Sequence, residues 1–312
     1  DKTEKIWLNG KLVDWEDAKV HVLAHAMNYG SGVFEGIRVY HTPKGLAVFR
    51  LKEHAQRLID GCRIMGIETV VEGKKYGLVE VMEAIKDAVR ANGDAVDYIK
   101  PCFFLSGEEV GLNPCGVETS FVITCIHMGE YLGPNASAGA KLITSSWQRP
   151  DNLCGPAGAK VNGSYVTSTI AKREAVRQGA DEAIMLNSVG HVAECTGENI
   201  FMYRHGEIIT PSTAESILEG ITRDSIIKVA RDMGYTVREI PVSRFMLSSS
   251  DEVWMTGTAA EHLRRRLADK HRDLRRDRVL VGLAADSVRS KQFTHKKLSS
   301  YNQFPIQLRF NL

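Results

Sequence analysis

The chain lacks any apolar run long enough to span a bilayer, which argues against a helical membrane protein. Its charged start, Asp1-Lys2-Thr3-Glu4-Lys5, runs straight into a strand pattern, so no signal peptide is expected. The six cysteines (Cys62, Cys102, Cys115, Cys125, Cys154 and Cys195) are scattered and contain no CxxC pair. Without paired ligand spacing, a zinc site is not expected. Most lie among apolar neighbours, which suits reduced thiols in a cytoplasmic protein. Internal repeats and low-complexity tracts are also missing. So is a large excess of one charge: the net value is +2, and charged residues make up 25% of the chain, as in ordinary globular proteins.

What is present is length for two cores, with 312 residues. The charge is unevenly spread. From His262 onward there are thirteen Lys and Arg against four Asp and no Glu, whereas the residues before it are net negative. A basic tail is one signature of nucleic-acid binding, but no aromatic interleaving accompanies this one.

Ile6-Trp7-Leu8-Asn9-Gly10-Lys11-Leu12-Val13 places two apolar runs around Asn-Gly, a tight-hairpin signal because both turn residues tolerate positive φ. Leu51, His54, Ala55, Leu58, Ile59 and Cys62 fall at helical spacing, as do Leu78, Val81, Met82, Ile85 and Val89. Tyr98–Leu105 and Phe121–Ile126 read as strands. These elements predict a small α+β domain over residues 1–127. A Gly/Pro/Ser-rich stretch over 128–137 predicts a linker, and 138–312 a larger domain. In that domain Lys141–Trp147, Glu182–Leu186 and Ile200–Tyr203 read as strands, the last paired through His205-Gly206 with Ile208-Ile209. A helix after Ser164, carrying Ile170 and Val176, is expected to stop at Gly179. A second runs from Thr222 to Met233, with Thr222 able to cap it.

Several short segments carry chemistry. Lys160 lies in Ala157-Gly158-Ala159-Lys160-Val161-Asn162-Gly163-Ser164-Tyr165. A nucleophilic lysine must be deprotonated near neutral pH, and its small apolar neighbours suit desolvation. Glu219-Gly220-Ile221-Thr222-Arg223 combines a close-approach Gly with a helix start, an arrangement suited to anions. Ala193-Glu194-Cys195-Thr196-Gly197-Glu198-Asn199 and Thr256-Gly257-Thr258-Ala259-Ala260-Glu261 complete the series, and Asn28–Arg38 forms an aromatic and Gly-rich wall.

In this order and spacing, the segments resemble the fold-type IV, pyridoxal-phosphate-dependent aminotransferases, and within them the branched-chain amino acid aminotransferases. The resemblance runs from about Lys5 to Glu261. It implies a two-domain mixed α/β fold with the cofactor in the cleft, and a homo-oligomer of at least two chains. It implies Lys160 as the Schiff-base lysine and catalytic base. Glu194 would sit beside the pyridine nitrogen, Tyr165 beside the phenolic oxygen, and Arg57, Ile221, Thr222 and Thr258 around the phosphate. Substrate contacts would come from Tyr29, Phe34, Gly36, Arg38, Tyr98, Lys100, Thr258 and Ala259, with Val110 and Leu112 reaching across from a second subunit. The implied reaction is ping-pong transamination of Leu, Ile or Val with 2-oxoglutarate. D-amino-acid transaminases and aminodeoxychorismate lyases share the same lysine, acidic residue and phosphate site; Val33-Phe34-Glu35-Gly36-Ile37-Arg38 favours the branched-chain alternative.

The chain departs from the family in three places. Tyr98-Ile99-Lys100-Pro101 has Lys where Arg is common, which keeps the charge but loses the planar fork. His127-Met128-Gly129 lacks a Trp often found there. After Glu261 the similarity stops, and Arg264–Arg278 is too charged for a buried helix. The abrupt change reads as a frameshifted tail, ahead of a nucleic-acid-binding one. A homologue made non-catalytic by that tail is the non-enzyme alternative.

Overall fold

The computed structural model describes residues 2–128 and 139–259, together with the backbone of 261–264. The expected linker lies largely outside the described residues, and so does nearly all of the basic tail. The chain forms two compact units. Residues 2–128 and 150–167 belong to the first; 139–149, 168–259 and 261–264 belong to the second. The segment carrying Lys160 and Tyr165 thus packs with the first unit, where the sequence reading assigns it to the second.

The first unit opens with the Asn-Gly hairpin of β1 (Lys5–Leu8) and β2 (Lys11–Asp14). Asn9 and Gly10 both take positive φ, 48° and 88°, the left-handed turn that this dipeptide favours. After the short helix α1 (His25–Tyr29) come β3 (Gly32–Phe34), β4 (Ile37–Thr42) and β5 (Gly45–Val48). Helix α2 (Leu51–Ile64) follows, then the two-residue strands β6 (Val70–Val71) and β7 (Lys74–Lys75), and helix α3 (Leu78–Asn92). The long strands β8 (Tyr98–Leu105) and β9 (Thr119–Ile126) lie at the sheet centre. The path runs β2-β1-β9-β8-β4-β5, with β3 also paired to β8.

Both helices bury the apolar stripes expected of them. In the core, Phe103 and Phe121 are directly opposed across β8 and β9 and stack with centroids 3.9 Å apart. Trp7 and Tyr76 pack edge-on against Phe121, a geometry favoured by the ring quadrupoles.

The second unit holds β10 (Leu142–Thr144), α4 (Tyr165–Arg177, begun in the first unit), β11 (Glu182–Leu186), β12 (Val192–Cys195), β13 (Asn199–Arg204) and β14 (Glu207–Thr210). Then come α5 (Ile221–Asp232), β15 (Val237–Glu239), α6 (Arg244–Ser248), β16 (Glu252–Gly257) and β17 (Glu261–Arg264). Among the described residues these strands form a three-stranded sheet, β10-β11-β12, and a five-stranded sheet, β15-β14-β13-β16-β17. The β13–β14 hairpin turns at His205-Gly206, as expected, with Tyr203 opposite Ile208.

Three local expectations are corrected, and the buried face of α4 is settled. The strand expected over Lys141–Trp147 is confined to Leu142–Thr144. Helix α4 does not bury Ile170 or Val176; it turns Ser168, Ala171 and Ala175 inward against Ala180, Ala183 and Met185. The small residues allow close approach, and the larger ones face out. Helix α5 begins at Ile221, not Thr222, and its N-cap is Gly220 with no side-chain cap. Of the cysteines, all free, Cys62, Cys125 and Cys195 are buried, but Cys115 and Cys154 are exposed rather than core residues.

Candidate active site

Within the first unit, Lys160 is set by its backbone. Val161 bridges Val33 in antiparallel fashion, and the Phe34 N–H donates to the Lys160 carbonyl at 3.0 Å. Ala159 and Val161 are buried on either side. In extended chain, alternate side chains point to opposite faces, so Lys160 emerges away from that core. Its Nζ donates to the Tyr165 hydroxyl and lies 4.7 Å from the Phe34 ring centroid. Phe34 packs on Tyr165 at 5.0 Å. Lys100 Nζ, on an exposed residue, also lies over Phe34, at 4.9 Å. The amine, the phenol, the ring and the second lysine therefore form one cluster.

Glycines set two close approaches here. Gly30 has φ of +67°, and a Cβ there would fall 2.8 Å from Gly163 Cα. A Cβ at Gly36 would collide with the Tyr98 hydroxyl. Tyr98 is opposite Arg38 in the β4–β8 register, and the Arg38 guanidinium lies 6.0 Å from its ring and 3.7 Å from Asp97. Tyr29 accepts a hydrogen bond from the Gly111 N–H at 3.2 Å, tying down a loop on which Val110 and Leu112 are exposed.

Arg57 does not lie on a solvated helix face. Its Nε and Nη2 donate to the two oxygens of Glu35, at 2.5 and 2.9 Å. His54, one turn earlier on α2, approaches Glu35 Oε2 through Nδ1 at 2.7 Å. Burial would raise the Glu35 pKa, but the Arg57 charge and then His54 outweigh it and hold the carboxyl well below its ordinary range. Burial lowers the His54 pKa, against the pull of Glu35. A carboxylate only accepts, so His54 Nδ1 carries the proton; Nε2 is buried and has no hydrogen-bond partner among the described residues. The sequence reading gave Glu35 and His54 no role. The available signals were a carboxylate inside an apolar strand run and a histidine on an apolar stripe.

In the second unit, Glu194 is buried at the centre of three donors. Arg149 Nε reaches Oε1 at 2.9 Å, while Asn199 Nδ2 and the Leu218 N–H reach Oε2 at 2.9 and 3.1 Å. Arg149 is itself buried and also donates to the Ser216 carbonyl. Neither Arg149 nor Asn199 was singled out from sequence. Asn199 also donates to the Leu218 carbonyl, which places this network beside the start of α5. Gly220 leaves room there: a Cβ would fall on Asn199 Oδ1 and would have to displace that amide. Ile221 and Thr222 open the helix, where backbone N–H groups point along the axis and favour anions. Thr258 and Ala259 follow the end of β16.

The donor sets suit pyridoxal phosphate. The first unit supplies a primary amine hydrogen-bonded to a phenol and packed on an aromatic ring. The second supplies a fixed buried carboxylate and, beside it, a helix start with a glycine as its N-cap.

The class IV aminotransferase model matches residues 32–265, and the chain belongs to that family. Its fold is that of the fold-type IV pyridoxal-phosphate aminotransferases. Within the family, the similar proteins are branched-chain aminotransferases. The Escherichia coli K12 enzyme is 43% identical over 262 residues, 83% of each chain. The structure of the Thermoproteus uzoniensis enzyme with norvaline has a TM-score of 0.82 and 38% identity, covering 92% of this chain and 94% of that one. The Thermobaculum terrenum enzyme in its pyridoxal-phosphate form has a TM-score of 0.76 and 32% identity, with 85% of each chain covered.

Proposed function

We propose that the chain catalyses pyridoxal-phosphate-dependent transamination of branched-chain L-amino acids, with 2-oxoglutarate as the second substrate. The observation that carries this reading is the Lys160 amine, hydrogen-bonded to Tyr165 and packed on Phe34, in a chain 43% identical to a branched-chain aminotransferase. When bound, the cofactor supplies an electron sink for negative charge at the substrate α-carbon.

Lys160 would hold the cofactor through its Nζ, and the same amine, when free, is placed to take a proton from the substrate α-carbon and give it back, a task for one well-placed base. Tyr165 orients that amine and the cofactor's phenolic oxygen. Glu194, fixed by Arg149, Asn199 and Leu218, would meet the cofactor's ring nitrogen and favour its protonated form. Arg57, Ile221, Thr222 and Thr258 hold the phosphate. Phe34, Gly36 and Tyr29 form an apolar side-chain wall, which suits Leu, Ile or Val. Tyr98, Arg38 and the backbone at Thr258 and Ala259 receive the substrate carboxylate.

Lys100 meets the side-chain carboxylate of glutamate and 2-oxoglutarate. It offers a point charge rather than a planar fork, so Lys100→Arg should tighten both. Unchanged apparent affinities would remove Lys100 from the substrate site.

A second copy of the chain completes the assembly. Support comes from the exposure of Val20, Val22 and Met27 on one segment and of Val110 and Leu112 on another, the two joined by the His25 N–H to Gly107 carbonyl bond. Exposed apolar clusters of this kind mark interfaces. A monomeric mass by light scattering would reject it. No helix among the described residues is long and apolar enough to cross a membrane, and six free thiols suit a reducing cytoplasm.

The reaction is tested by an absorbance spectrum of the protein mixed with pyridoxal phosphate, before and after L-leucine. A visible band that bleaches with L-leucine is the expected result. D-alanine bleaching it in preference would overturn the substrate class. Lys160→Ala should lose the band and steady-state turnover.

A further inference from the structure

Glu35 is fully buried, yet it is ionised and accepts from three side-chain nitrogens, two of them on Arg57. Burying a carboxylate costs several kcal/mol unless its partners are well placed. The arrangement is stiff at each point. Glu35 lies on the short link between β3 and β4, and its own N–H donates to the Pro101 carbonyl at 2.9 Å. His54 is wholly enclosed on the same helix as Arg57, so the two donors that converge on Glu35 come from one rigid element. The two-point contact sets the plane of the guanidinium, which a single-point contact would leave free to rotate. Phe34, directly before Glu35, donates its N–H to the Lys160 carbonyl. The same few residues therefore fix both the arginine and the lysine strand.

We propose that Glu35, supported by His54, is a positioning residue that fixes the Arg57 guanidinium for the cofactor phosphate. The proposal rests on the assignment of Arg57 to that phosphate under the proposed function. Glu35 acts through Arg57 and touches neither substrate nor cofactor. Its negative charge by itself would oppose phosphate binding, so placement and charge predict opposite signs when the carboxylate is removed.

The test compares pyridoxal phosphate with pyridoxal, which lacks the phosphate, as ligands of the full chain stripped of cofactor. In Glu35→Gln, Kd for pyridoxal phosphate should rise about tenfold or more, the scale of a charge-assisted contact, while Kd for pyridoxal stays unchanged. In an Arg57→Ala background, Glu35→Gln should have no further effect on the ratio of the two constants. Arg57→Lys keeps the charge but cannot make the two-point contact, and it should lose most of the preference for the phosphorylated ligand. Arg57→Lys also serves if the Glu35 variant does not fold.

Tighter pyridoxal phosphate binding in Glu35→Gln, an equal loss for both ligands, or an unchanged ratio in Arg57→Lys would each overturn the positioning role. If Arg57→Ala itself leaves the ratio unchanged, the phosphate assignment fails and takes this inference with it. If Arg57→Ala lowers the ratio and Glu35→Gln does not, only the inference fails.

Discussion

Glu35 in the first unit and Glu198 in the second are both buried, yet their carboxyl pKa values are pushed in opposite directions. Glu35 sits against Arg57 and His54 and stays charged far below the ordinary range. Glu198 is pushed up to about 7, first by burial and then by the neighbouring Glu182 charge. It accepts from the Gly197 N–H at 3.2 Å, while Lys172 is engaged with Glu182 at 2.6 Å. Burial alone therefore does not decide whether a carboxylate ionises; the charges and donors that come with it do.

The largest expected effect comes from breaking the first arrangement outright. Glu35→Ala leaves Arg57 and the His54 Nδ1 proton without their acceptor and should cost about 3–5 kcal/mol of unfolding free energy, read from urea denaturation at pH 7. A loss within about 1 kcal/mol would mean that Arg57 finds another partner.

The two carboxylates also give opposite pH slopes. Glu35 has a lowered folded-state pKa, so its contribution is present above about pH 4.5, the unfolded value, and is lost as pH falls. Glu198 has a raised one, so its contribution is full below about pH 4.5 and is lost as pH rises towards 7. The shift corresponds to about 3 kcal/mol. Glu198→Gln should flatten stability between about pH 5 and pH 7, and an unchanged slope in urea midpoints would place the titration elsewhere. Lys172→Met removes a cation that favours the charged form, and should move the midpoint of that slope upward.

Packing offers a comparison without charge. Gly36→Ala forces a methyl group against the Tyr98 hydroxyl and should cost about 1–3 kcal/mol, partly restored by Tyr98→Phe. Equal losses in the single and double variants would mean that the strand, not the ring, resists. The smallest effect is expected at the surface: Glu83→Gln removes the ion pair with Lys86, 2.7 Å away, and should change stability by no more than about 0.5 kcal/mol.

The hairpin at Asn9-Gly10, the stripes of α2 and α3, and β11 over Glu182–Leu186 were legible in the sequence, because each follows from local turn chemistry or periodicity. The family was legible because its segments recur in fixed order. The helix carrying Ile170 and Val176 was legible too, but not its buried face, since helical spacing does not say which of two faces a neighbouring sheet accepts; on α4 the alanine face won. Thr222 misled because a hydroxyl near a helix start suggests a cap, whereas the helix begins one residue earlier with Gly220 as its N-cap.

Local pattern and residue order by themselves determined most of the elements and the family, and singled out Lys160 as the candidate reactive amine, since those depend on neighbours within a few positions along the chain. Only the tertiary structure decided which distant groups meet. Glu35 is 22 residues from Arg57, and Glu194 is 24 from Leu218. Desolvation and hydrogen bonding act over a few ångströms of space, whatever the separation in sequence, so the charge state of a buried acid is settled only once the fold has brought its partners to it.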